Sequence, residues 1–116
     1  MEQLNRIELR GNVGNIRVQD TSSGQFARFS VATNYVFKDK EGAAVIETTW
    51  HNVVAWNGRG MPEDLNSIQK GSPVHLTGRL RMQKYTGSDG VVHSVYEVVA
   101  RTLELVKEKE QLTPGY

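Results

Sequence analysis

The chain has no cysteine, which excludes a disulfide framework, a thiolate nucleophile and a thiolate-ligated metal. It has no run approaching the ~20 apolar residues of a membrane span. The stretch Met1 to Arg10 carries charge and no apolar segment of the secretory kind, so a cytoplasmic location is expected. A dominant charge is also missing: the net charge is +1 and the pI about 8.0, far from the strongly basic balance that by itself marks a nucleic-acid binder. Any electrostatic footprint must come from where the charges stand. The three histidines, His51, His75 and His93, are dispersed, and no His-Glu-x-x-His pattern occurs, so no metal site is expected. Gly58-x-Gly60 lacks the following lysine of a phosphate-binding loop, and no Gly-x-Ser-x-Gly turn is present. The expectation is a protein that is not an enzyme and needs no cofactor. Repeats and low-complexity segments are lacking too.

What is present is a set of short segments rich in β-branched and aromatic residues, separated by turn signals. Their length and the 38% hydrophobic content over 116 residues suit one domain, burying ~65% of its unfolded surface. The first segment, Asn5 to Gly14, alternates Ile7, Leu9 and Val13 against charged residues and has room to continue through Ile16 and Val18. The second, Gln25 to Val36, sets Ala27, Phe29, Val31, Thr33 and Tyr35 opposite Phe26, Arg28, Ser30, Ala32 and Asn34. The third runs from Val45 to Asn57 and the fourth from Val74 to Tyr85, with Val74, Leu76, Leu80 and Met82 read as its core side. Gly78 on that side suits a bulge. The fifth runs from Val91 to about Val106, with a break in alternation expected near Tyr96. Between the third and fourth, Pro62 suits a first helical position, Glu63 and Asp64 the first turn, Leu65 and Ile68 the inward face, and Gly71 the end. Three strands, one short helix and two strands predict an all-β OB-fold, a five-stranded Greek-key barrel, over residues 1–106. A flexible C-terminal extension, 107–116, would follow.

Trp50 and Trp56 stand six residues apart on the third strand, so both indoles point to one side of the sheet. The other side carries Val45, Thr49, His51, Val53 and Ala55, which are small or branched enough to pack. A buried core is the ordinary place for a tryptophan, but here the alternate face already supplies one. Phe37 borders the charged loop Lys38-Asp39-Lys40-Glu41-Gly42, and Tyr85 follows Lys84 on the face that carries Arg79 and Arg81. Aromatics interleaved with cations suit a groove that stacks bases and tracks phosphates; a solvated sheet face is the plain alternative for the cations. Arg10, Arg17 and Arg28 fit either an extension of that path or ordinary surface charge.

The ordered set Asn5-Arg6-Ile7, Gly11-Asn12-Val13-Gly14, Phe29-Ser30-Val31-Ala32-Thr33-Asn34, Thr49-Trp50-His51-Asn52-Val53-Val54, Lys70-Gly71-Ser72, Gly78-Arg79-Leu80 and Glu97-Val98-Val99-Ala100 closely resembles the bacterial single-stranded DNA-binding protein family. The resemblance covers roughly Asn5 to Leu105. It implies sequence-independent binding of single-stranded DNA in replication, recombination and repair, with base stacking on Phe37, Trp50, Trp56 and Tyr85. Relatives commonly carry Trp at the last of these positions. Phosphate attraction would come from Lys38, Arg79, Arg81 and Lys84, with Lys40 and Arg10 as further candidates. It also implies a homotetramer, with Arg6, Glu8 and His51 near subunit contacts. Relatives continue into a long linker and an acidic tip that recruits replication enzymes; Leu112 to Tyr116 has neither its acids nor its apolar end, so recruitment through a tail is not expected. Two other readings stay open on the residues alone: an accessory protein whose aromatic face docks a protein, and an RNA or oligosaccharide binder on the same barrel.

Overall fold

Alternating apolar and polar residues resolve into five strands in the computed structural model, which describes residues 1–107. They are β1 (Ile7–Thr21), β2 (Gly24–Lys38), β3 (Ala44–Trp56), β4 (Pro73–Thr86) and β5 (Val92–Leu105). Around the ring the order is β1-β2-β3-β5-β4, closing on β1. All neighbours are antiparallel except β3 with β5. This is the expected OB-fold barrel. The expected extension lies, apart from Lys107, outside the described residues.

Ring closure depends on β1 changing partners. Ile7 to Asn12 pair with β4, and from Asn12 onward the strand pairs with β2, with an extra residue between Val13 and Ile16. That bulge bends the strand around the barrel. The β3–β5 joint is short, holding only Val53 opposite Val98 and Val54 opposite Val99. Inside sit the alternate residues of every strand, including Phe29, Val31, Val53, Val74, Leu76 and Val98, all buried. Each contributes on the order of 1.5–3 kcal/mol by leaving water.

The segment between β3 and β4 is not the expected helix. Only Leu65–Ser67 turn, as one 3₁₀ turn, and Pro62 to Asp64 lie outside it. Asp64 is extended and caps the turn by accepting from the Asn66 N–H. The side chain of Gln25 on β2 donates to the Asp64 carboxylate at 2.8 Å and accepts the Leu65 N–H at 2.8 Å. The Gly71 N–H then bonds Val13 O, and Val13 N–H bonds Ser72 O. Tied at both ends to β1 and β2, the segment has room for one turn and not for a helix. The inward anchors hold, since Leu65 and Ile68 are both buried in the core.

Two further expectations change. Leu80 and Met82 are exposed and not core, because β4 passes beyond the end of its pairing with β1 at Gly78. The irregularity of β5 falls at Arg101 and not near Tyr96: Thr77 pairs with Thr102 and Gly78 with Ala100, leaving Arg101 over. Gly78 meets this bulge as the sequence suggests, and a Cβ there would collide with the Val99 carbonyl oxygen.

Both long hairpins outrun the barrel. Past Ala32, β2 has no β1 partner, and the β3 residues before Val53 have no β5 partner, so Thr33–Lys38 and Ala44–Thr49 form a two-stranded ribbon. Thr49 is therefore exposed and Val45 half-buried, although both alternate with the core residues Val53 and Ala55. The second ribbon is Arg79–Thr86 with Val92–Val99, joined to the ring through Val98 and Val99. The radius of gyration, 16.3 Å, exceeds the about 13 Å of a compact chain this long, as projecting ribbons require.

Candidate nucleic-acid interface

Strand pairing settles which residues share the outer face. Phe26 pairs with Trp56, Arg28 with Val54 and Ala32 with Trp50, while Ala27, Phe29 and Val31 turn inward. The β3–β5 joint sets Val54 beside Val99, and β5 sets Val99 beside Arg79 and Glu97 beside Arg81. By alternation, Gln83 and Tyr85 lie on that face too. One outer surface thus runs from Trp50 and Trp56 across Arg28 and Glu97 to Arg81 and Tyr85. Its floor is buried on the outer side of the barrel wall, apart from the cluster inside: Val54 is 2% exposed and Glu97 5%. Two adjoining grooves of about 670 and 400 Å³ share Arg28, Val95 and Glu97 in their walls.

The aromatics are held in place from the side. The Trp50 ring packs over Gly14 at the β1 bulge, where a Cβ would stand 2.5 Å from Cζ3. Only glycine leaves room for the indole there. Trp56 packs against Phe26 with centroids 4.5 Å apart, and the Arg28 guanidinium lies 5.2 Å from the Phe26 ring, a cation–π contact. Tyr85 stacks on His93 at 5.1 Å with planes 22° apart, which leaves its other face open. Trp50, Trp56 and Tyr85 are each about half exposed, the state a stacking platform needs.

Glu97 organises the cations between them. It accepts from Arg81 Nε at 2.9 Å and Nη2 at 2.6 Å, and from Arg28 Nη1 at 3.4 Å. Two guanidiniums thus converge on one buried carboxylate, leaving net positive charge at the centre of the groove. Arg17 pairs across the ladder with Arg28 and lines the same groove.

Among the residues expected from sequence, Trp50, Trp56, Tyr85, Arg79, Arg81 and Lys38 fall by strand alternation on this outer face. Phe37 does not: its register opposite Val45 turns it to the other face of the β2–β3 ribbon, where it stacks with Tyr35 at 6.0 Å. Lys84 likewise alternates away from Tyr85, opposite Ser94. Lys40 sits in the hairpin tip between Asp39 and Glu41. Arg10 lies opposite His75 on the β1–β4 flank. Sequence reading missed Phe26 and Glu97 as parts of the site, although the period-2 pattern of β2 does set Phe26 beside Arg28 on the polar face.

That flank holds a second cluster, where His75 Nε2 meets Glu8 at 2.6 Å and Nδ1 meets Glu104 at 3.2 Å. The hydrogen bond to Glu8, then that to Glu104, raises the His75 pKa above its usual value, and the bond to His75 lowers that of Glu8. Arg6 lies apart from this cluster, lining a cleft with Arg79 and Arg101. His51 is half-buried with Nε2 2.9 Å from the Thr33 hydroxyl, and burial lowers its pKa. Among the described residues no group of three His, Asp or Glu is placed to hold a metal ion, and no helix is long and apolar enough to cross a membrane.

The chain is similar to the single-stranded DNA-binding protein of Neisseria meningitidis serogroup A, 31% identical over 97% of this chain and 65% of the relative. It is similar to that of Xanthomonas campestris pv. campestris, 36% identical over 89% of this chain and 60% of the relative. The chain thus spans less than two thirds of the length of these curated relatives. Among solved structures, a Plasmodium falciparum SSB complex with ssDNA superposes with a TM-score of 0.70 at 25% identity, covering 92% of this chain and 98% of that one. A small single-stranded DNA-binding protein from Streptomyces coelicolor shares the fold, with a TM-score of 0.69 at 22% identity over 94% and 99% of the two chains. The profile of the Single-strand binding protein family matches residues 4–106, and the chain belongs to that family.

Proposed function

We propose that the protein binds single-stranded DNA with little sequence preference and without catalysis, holding exposed strands during replication, recombination and repair. The observation that carries this reading is the outer groove, where exposed Trp50, Trp56 and Tyr85 flank the Arg28–Glu97–Arg81 centre. Stacking contributes ~1–3 kcal/mol per base and accepts every base. Trp50 and Trp56 stand six residues apart on one strand face, roughly 20 Å along the sheet, so they engage separate bases. Arg79 and Lys38 on the same face attract phosphates, with Arg81 acting through its partnership with Glu97. Lys40, Lys84 and Arg10 add to the field from the tip, the far face and the flank. Phe37 stacks a base where the strand passes around the β2–β3 ribbon to its other face.

A homo-oligomer, in the form of a homotetramer, accompanies this reading. Val92, Met82 and Tyr96 on the non-groove side of the β4–β5 ribbon leave large apolar groups in water, as a surface awaiting a partner does. Glu8 and His51 belong near the subunit contacts, with Arg6 at their margin. Several domains on one strand raise avidity without new contacts.

Titration with a long oligothymidylate at low and high salt, followed by tryptophan fluorescence with duplex DNA as control, tests the function. Strong quenching by the single strand that weakens with salt is expected. Trp56→Ala should lose roughly 5- to 150-fold in affinity while its thermal unfolding midpoint holds. Absence of both quenching and binding would remove the proposal.

A further inference from the structure

The bulge that closes β4 against β5 brings three arginines around one cleft. Arg6 precedes β1, Arg79 follows Gly78 on β4, and Arg101 is the residue left over in the β5 ladder. They wall a cleft of about 630 Å³, with Leu4 and Val99 supplying apolar surface. Among the described residues no carboxylate lines it. None of the three arginines takes part in an ion pair among the described residues. The N-terminal wall is fixed in place, because the Asn5 carboxamide donates to Leu80 O at 2.6 Å and accepts the Leu80 N–H at 2.9 Å. That clamp continues the Ile7–Gly78 register and sets Arg6 beside Arg79.

Three like charges around one cleft repel one another, and a bound anion relieves the repulsion. Each guanidinium presents a planar fork that fits phosphate oxygens. The cleft is continuous with the aromatic face: Arg79 alternates with Arg81, Gln83 and Tyr85 along β4, about 20 Å from Tyr85 by strand rise. In the main groove, by contrast, Arg28 and Arg81 are already engaged by Glu97. We infer that the cleft of Arg6, Arg79 and Arg101 receives the phosphate backbone of the strand as it leaves the aromatic face. The inference rests on the single-stranded DNA reading above and gives the strand its direction along β4 toward the N-terminal edge.

The test uses the intact chain with short and long oligothymidylates across a range of salt concentrations. Arg101→Gln should lower the log–log salt slope for the long oligomer by about 0.7, and Arg101→Glu by at least as much, because the guanidinium removed leaves one phosphate fewer neutralised. Binding of an oligomer that covers only the aromatic face should stay within twofold of the parent. Arg101→Lys should restore the slope, and all variants should keep the parent's unfolding midpoint. Parental slopes in Arg101→Glu, with quenching retained, would overturn the cleft and leave the main reading standing. An equal loss for short and long oligomers would also overturn it, since it would make the arginines a general field and not an exit. A parent chain that bound no single strand would remove both readings.

Discussion

Glu97 sets two guanidiniums, 33% and 62% exposed, against one carboxylate that is 5% exposed. The carboxylate restrains both cations, so its removal acts on stability and on binding in opposite directions. Glu97→Gln keeps the shape and an acceptor oxygen but removes the charge. It should lower unfolding free energy by about 1–3 kcal/mol, read by urea denaturation, because Arg28 and Arg81 lose their common partner. The salt slope of single-strand binding should steepen by ~0.7 for each arginine freed to meet a phosphate. A slope equal to the parent's would show that the strand does not sense this charge. The outward placement of Trp50 and Trp56 was legible in the residues, because two tryptophans at even spacing opposite a small-residue face have few places to go, whereas the register that turns Phe37 away was not. Glu97 was not legible, since its partners stand 16 and 69 positions away in the chain and only barrel closure brings them together.

At the scale of the element, glycines at the two bulges separate what is soft from what is rigid. At Gly14 an added Cβ meets two side-chain ends, the outer edge of the Trp50 ring and the Ser30 hydroxyl, whereas at Gly78 it meets the Val99 backbone. Gly14→Ala should therefore displace the indole and weaken oligothymidylate binding several-fold with little loss of stability. Gly78→Ala should cost about 1–3 kcal/mol or more in unfolding free energy. Paired melting and binding curves of the two variants check this, and a Gly14→Ala protein that bound like the parent would detach Trp50 from the strand. The succession of strands along the chain and the inward faces of β1 and the start of β4 followed from alternation, whereas the two faces of β2 differ too little in sequence to say which turns inward. Leu80 and Met82 misled because an alternating pattern says which side a residue faces but not where the barrel beneath it stops. The Pro62 to Gly71 segment misled for a related reason: helical signals were present, but Gln25 and Val13 take up the backbone groups that a helix would use.

For the molecule as a whole, the Glu8–His75–Glu104 cluster ties β1, β4 and β5 together on one flank. Arg10 on β1 opposes His75 protonation, while both carboxylates favour it. The raised His75 pKa contributes stability that is complete below its usual value of 6.5 and lost as pH rises through the folded value. The lowered Glu8 pKa contributes stability that is present above 4.5 and lost as pH falls through the folded value. The cluster is thus strongest between these limits. His51, its pKa lowered by burial, acts with the opposite slope, favouring the folded state as pH rises. Unfolding midpoints measured from pH 4 to pH 9 should lose the decline above about pH 6.5 in His75→Gln and keep it in His51→Gln; an unchanged profile in His75→Gln would remove the cluster from the stability of the barrel. The β3–β5 joint has a different consequence. With two residue pairs against the thirteen that join β2 to β3, it is the clasp of a bracelet, and the ribbons stand on either side of it. On the proposed binding mode the nucleic acid lies across both ribbons, so the ligand becomes a safety chain over the clasp, and the ring is hardest to open when it is occupied.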